Sequence, residues 1–154
     1  MIKMHKISRS LSIENLRWFI AMLILTALQP ISAHAGSGVP CDIQHGPCIC
    51  STNGMTITFD ILPKPIRTLS ELRFKVTVRR NNVPVTDAAI ALDLSMPGMF
   101  MGKNRPVLKS VGQGIYEGTG IIPRCASGQR TWQAEITVGR GDPSATALYQ
   151  FEVQ

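Results

Sequence analysis

Downstream of Gly54 the chain alternates. Met55, Ile57, Phe59 and Ile61 are apolar, with Thr56, Thr58 and Asp60 between them, and a period of two with β-branched enrichment predicts a half-buried strand. Pro63-Lys64-Pro65 ends it. The pattern resumes over Glu71 to Arg79, with Leu72, Phe74, Val76 and Val78 on one face and Arg73, Lys75, Thr77 and Arg79 on the other. Asn81-Asn82 suits the positive φ of a tight turn, and Pro84 and Asp87 prolong the break. A third strand is expected from Ala88 to Ser95, with Ala88, Ile90, Leu92 and Leu94 inward.

Beyond the irregular stretch that follows, Pro106 to Val111 reads as a short strand and Gly112-Gln113-Gly114 as a turn. Ile115 to Ile122 reads as a further strand, in which Gly118 and Gly120 allow a bulge or a close backbone approach. Pro123 to Gln129 is a loop holding Cys125. Trp132, Ala134, Ile136 and Val138 define the next strand, with Trp132 as core anchor, and Ala147, Tyr149, Phe151 and Val153 the last. Helical periodicity is missing from this half of the sequence. Seven short strands with turn signals about every ten residues predict an all-β fold, a single immunoglobulin-like antiparallel β-sandwich over residues 55–154.

The beginning of the chain reads differently. Lys3, Lys6, Arg9 and Arg17 precede an apolar run of 11 residues from Trp18 to Leu28, then Pro30 and Ala33-His34-Ala35. Basic segment, short apolar segment and small residues at the A-x-A positions predict a secretory signal peptide over 1–35, cleaved after Ala35. A spanning helix needs roughly 20 apolar residues, more than this run supplies, so no stable membrane insertion is expected after cleavage. Gly38-Val39-Pro40 is a poor match to the residues that precede a lipidated cysteine. The expected location is therefore periplasmic or secreted.

Export changes the reading of charge and of cysteine. Of the formal net charge of +6, half lies in the first 35 residues, and the remaining charges are scattered. Arg79-Arg80 is the longest cationic run of that remainder, with no aromatic residues interleaved, so nucleic acid is not expected as a partner. Residues 36–54 form a Gly, Pro and Cys-rich segment, expected to be a loop or extended arm. Cys41, Cys48, Cys50 and Cys125 are four in number, and an oxidising compartment makes disulfides their default. Cys48 with Cys50 is the least attractive pairing, because one intervening residue forces a strained ring. Cys41 with Cys48 or Cys50 leaves the other to join Cys125; Cys41 with Cys125 leaves one thiol over. A bridge to Cys125 would close a long loop, worth roughly 3–5 kcal/mol on the entropic account.

Catalytic constellations are weak, so no enzyme is expected. His45 is the only histidine after Ala35, it lies in the arm, and no nucleophile elbow accompanies it. Asp60, Asp93 and Glu135 occupy outward strand positions, and the glycine pairs open no helix that would cradle phosphate. Cys48-Ile49-Cys50 lacks the spacing of a zinc knot, so His45 is expected to be exposed in a disulfide loop. Arg140-Gly141-Asp142 spells a cell-adhesion tripeptide, short enough to arise by chance.

The remaining chemistry is sulfur. Met96-Pro97-Gly98-Met99-Phe100-Met101-Gly102 places three thioethers within six residues on a segment that Pro and Gly keep irregular. Thioethers are soft, uncharged ligands that favour Cu(I). Met also fills irregular gaps well, and packing at one end of the sandwich is its commoner use. Residues two apart on an extended segment point the same way, so Met99 and Met101 converge readily, whereas Met96 needs the Pro97-Gly98 turn to join them.

With Leu94-Ser95 before it, Lys103-Asn104 after it, Gly114-Ile115-Tyr116-Glu117-Gly118 and Gly128-Gln129-Arg130-Thr131-Trp132, this segment resembles the YtkA-like domain family over about Met55 to Val153. The resemblance implies an extracytoplasmic immunoglobulin-like sandwich near heavy-metal or copper handling, distantly similar to FixH-like proteins. It also implies a metal-efflux or oxidase-assembly protein as partner, Met96, Met99 and Met101 as candidate thioether ligands for copper(I), and Gly98 and Gly102 as residues that shape their loop. Unlike copper-binding relatives, this chain has no His beside the Met cluster, and it adds the cysteine arm. Two functions follow as expectations: a non-enzymatic exported binding module handling Cu(I) or another soft metal, or a purely structural or protein-interaction sandwich without a metal site.

Overall fold

The computed structural model describes residues 39–139 and 144–154. The expected signal peptide and Arg140-Gly141-Asp142 lie outside the described residues. Ten strands make up the described chain, with no helix among them: β1 (Val39–Pro40), β2 (Cys48–Thr52), β3 (Met55–Leu62), β4 (Glu71–Arg80), β5 (Val83–Pro84), β6 (Ala89–Ser95), β7 (Lys109–Gly112), β8 (Ile115–Ile121), β9 (Thr131–Gly139) and β10 (Ala145–Glu152). They form two sheets, one in the order β1-β10-β9-β6 and the other β2-β3-β4-β8-β7 with β5 on β4. Pairing is antiparallel except between β1 and β10.

Alternation builds the core. Met55, Ile57, Phe59 and Ile61 of β3 and Leu72, Phe74, Val76 and Val78 of β4 are buried, and face Leu92, Leu94, Trp132, Ala134, Ile136, Ala147, Tyr149 and Phe151 of the other sheet. A one-residue slip in register would turn each such row to solvent, so the row itself fixes the pairing. Phe59 touches both Tyr149 and Phe151, at ring-centroid separations of 5.5 and 6.2 Å. The Tyr149 hydroxyl donates across the sandwich to the Ile57 carbonyl at 2.6 Å. Burial pushes that hydroxyl's pKa up, so it stays a donor.

The sandwich is the fold the alternation predicts, and three local expectations change. Residues 36–54, expected as a loop or extended arm, supply β1 to one sheet and β2 to the other, and Ile43 between them is buried. Pro106 to Val111 was expected as one strand, but pairing begins only at Lys109. Residues 106–108 instead pass closely over β8: a Cβ on Gly118 would sit 2.2 Å from the Val107 carbonyl oxygen, and one on Gly120 would sit 3.2 Å from Pro106 Cγ. Those two glycines give the close approach their spacing implies. The strand count rises from seven to ten through β1, β2 and β5, all short; Asn81 and Asn82, with φ of 49° and 64°, turn β4 into β5.

Candidate functional site

One end of the sandwich gathers the loop after β6, the loop before β9 and the segment between β3 and β4. Antiparallel pairing of Ser95 with Gln133 brings the first two together, and the Leu69 amide donates to the Ile122 carbonyl at 2.8 Å to bring in the third.

The Met loop is a built turn. Pro97 stands at the second position of Met96-Pro97-Gly98-Met99 and Gly98, with φ of 73°, at the third, and the Met99 amide donates to the Met96 carbonyl at 3.2 Å. Proline followed by a left-handed glycine is the type II arrangement, which sets Met96 and Met99 opposite each other as an isolated bridge. Further along, the Leu94 amide donates to the Asn104 carbonyl at 2.8 Å, and Asn104 Nδ2 donates to the Ile121 carbonyl at 3.0 Å. The Arg105 guanidinium meets Asp93 at 2.7 Å. Both ends of the loop are thereby fixed.

The three thioethers divide. Met96 is 3% exposed and belongs to the core, the packing role that its residue type allows. Met101 is half-buried against the core, and Met99 is 37% exposed, next to Phe100 at 91%. The turn that joins Met96 to Met99 in backbone pairing thus sends the first side chain inward and leaves the second at the surface.

Beside Met99 lies a residue that sequence reasoning assigned only to a disulfide. The Cys125 thiol donates to Met99 Sδ at 3.4 Å, and its sulfur lies 3.0 Å from Ser127 Oγ. A turn from Cys125 to Gly128, closed by the Gly128 amide on the Cys125 carbonyl at 3.1 Å, holds the thiol in place. Hydrogen bonding from the Ser127 side chain and backbone lowers the Cys125 pKa, outweighing burial. Cys125 also borders a small cleft with Thr68, Arg124, Arg130 and Val153. No spacing in the sequence signals the contact, because it joins two loops 26 residues apart.

The cysteines pair in one of the ways the sequence left open. Cys41 and Cys48 form a disulfide with a Cα separation of 5.8 Å. It ties the strand end beside β10 to β2, so it links the two sheets, but it closes a loop of separation 7, worth about 2–3 kcal/mol on the entropic account. The second bridge, to Cys125, is corrected: Cys50 and Cys125 are both free. Register explains why. Cys50 lies opposite Ile57, which lies opposite Val78, whereas the loop of Cys125 leaves β8 where Ile121 meets Glu71. Seven residues of β4, roughly 23 Å of strand, separate those two ladder positions, so Cys50 and the loop of Cys125 lie toward opposite ends of the sheet.

His45 is exposed in the Cys41–Cys48 loop and meets Asp42 at 2.7 Å. Half-buried Asp60 pairs with Lys64 at 3.0 Å and Asp93 with Arg105, so both carboxylates are engaged in ion pairs. Among the described residues no three His, Cys, Asp or Glu side chains converge on a point that would hold a metal ion, which leaves the sulfur pair as the soft-donor cluster. Comparison with protein families, with curated proteins and with solved structures finds no match for this chain.

Proposed function

We propose that this protein is an exported, non-enzymatic module of the periplasm or the cell exterior that binds Cu(I) or another soft monovalent ion at its Met loop. A metal-efflux or oxidase-assembly protein of the kind the YtkA-like resemblance implies is its partner. The supporting observation is the division of the loop. A fixed turn spends Met96 on the core while leaving Met99 partly exposed, 37% as a residue, with Met101 two residues on. A partly exposed methionine that is not packed into the core keeps its thioether free to act as a soft ligand.

A second reading, a protein-interaction sandwich without metal, draws on Phe100, which projects beside Met99 at 91% exposure. Silver(I) separates the two, since it mimics Cu(I) without redox chemistry. An ion that binds only the folded state stabilises it by about 2.7 kcal/mol at one hundred times Kd, a rise in melting temperature on the order of 10 °C for a domain of this size. The module is expected to show that rise, and Met99→Leu/Met101→Leu to lose most of it. An interaction sandwich melts at the same temperature with or without silver.

A further inference from the structure

We propose that Cys125 anchors the soft-metal site, its thiolate and the Met99 thioether forming a two-sulfur site for Cu(I) or Ag(I). The inference rests on the reading of the Met loop as a metal site and assigns its principal ligand to a different loop.

Three observations carry it. The two sulfurs already lie 3.4 Å apart. Taking the zinc–thiolate distance of about 2.3 Å as a lower guide, two sulfurs on opposite sides of an ion are separated by at least about 4.6 Å, so the pair must open by roughly 1 Å or slightly more. Met99 supplies that movement, because its side chain is unbranched and partly exposed, while Cys125 is held by its turn. Charge is the second point. Cys125 is only 4% exposed, and an uncompensated cation held against it would bear part of the cost of desolvation. A thiolate with a monovalent ion is neutral as a pair: the S–H bond breaks, the sulfur–metal bond forms, and the proton leaves to solvent without any change of oxidation state. The Ser127 hydroxyl, 3.0 Å from the sulfur, is within reach to donate to the bound thiolate and orient it.

The third observation is that Cys125 has no cysteine to oxidise with. Cys41 and Cys48 are joined to each other, and Cys50 lies toward the other end of β4. That separation leaves the thiol without a disulfide partner in its own chain. Met96, buried in the core, takes no part.

Alkylation of the purified protein tests this directly. Iodoacetamide labelling followed by mass spectrometry reads Cys125 and Cys50 separately, with and without one equivalent of Ag(I). Silver is expected to slow labelling of Cys125 at least tenfold and to leave Cys50 unchanged. Cys125→Ser, close in size to the parent, is expected to lose the silver-induced rise in melting temperature. Should Cys125→Ser keep a rise that Met99→Leu/Met101→Leu abolishes, with Cys125 labelling unprotected, the Met-loop reading stands and the thiolate anchor is wrong. Protection of Cys50 alone, or no silver effect in the parent, overturns both. If Cys125→Ser does not fold, labelling of the parent decides.

Discussion

Replacing Trp132 by alanine is expected to lower stability by about 3–5 kcal/mol, a large share of the roughly 5–15 kcal/mol that holds a typical domain together. The indole is fully buried on β9, opposite Phe151 of β10, and is the bulkiest of the buried side chains. Its removal leaves a cavity between two sheets whose backbones are fixed by their ladders, so the surroundings have little room to collapse. Trp132 Nε1 has no hydrogen-bond partner among the described residues. Trp132→Phe deletes that orphan donor together with part of the volume, and is expected to cost clearly less than Trp132→Ala. Urea unfolding followed by circular dichroism measures both; equal losses would mean that the indole contributes little by filling space.

Gly118→Ala should destabilise by about 1–3 kcal/mol and should also disturb the Met loop. The new Cβ would lie 2.2 Å from the Val107 carbonyl oxygen and 2.9 Å from Leu108 Cδ2. A flexible side chain can swing aside; a carbonyl cannot without moving its segment. Displacing residues 106–108 pulls on Arg105 and Asn104, whose contacts to Asp93, Leu94 and Ile121 fix the far end of the loop. The melting temperature should fall, and metal binding should weaken beyond what lost stability explains. Gly46→Ala is the control, since its Cβ would meet nothing within 4 Å and surface changes of this kind stay within about 0.5 kcal/mol. Equal melting temperatures for the two variants would show that residues 106–108 yield freely.

Period-two alternation made β3, β4, β6, β9 and β10 legible, because each carries a row of large apolar residues that only one face can bury. β2 was not legible. It is an edge strand whose half-buried positions are Cys48, Cys50 and Thr52, with Ile49 turned outward, so the usual contrast between faces is inverted. The turn at Pro97-Gly98 could be read from the residues, since proline followed by a positive-φ glycine admits few conformations. What packs beside it could not. Cys125 reaches Met99 because β6 and β9 are neighbours in register, a consequence of sheet order that local sequence does not carry. Cysteine count in an oxidising setting pointed to a bridge at Cys125, and strand register overrode it.

Titration of the purified protein with Cu(I) against a competing chelator tests the account most directly, with Met96→Leu/Met99→Leu/Met101→Leu alongside. Met to Leu nearly conserves volume, so the triple variant should stay folded. The account predicts one Cu(I) per chain, bound more tightly than about 1 μM, and an affinity at least tenfold weaker in the variant. Equal affinities would contradict it by placing the ion away from the Met loop, and a folded parent that takes no Cu(I) would contradict it and leave a disulfide-linked sandwich whose exposed loop serves another protein.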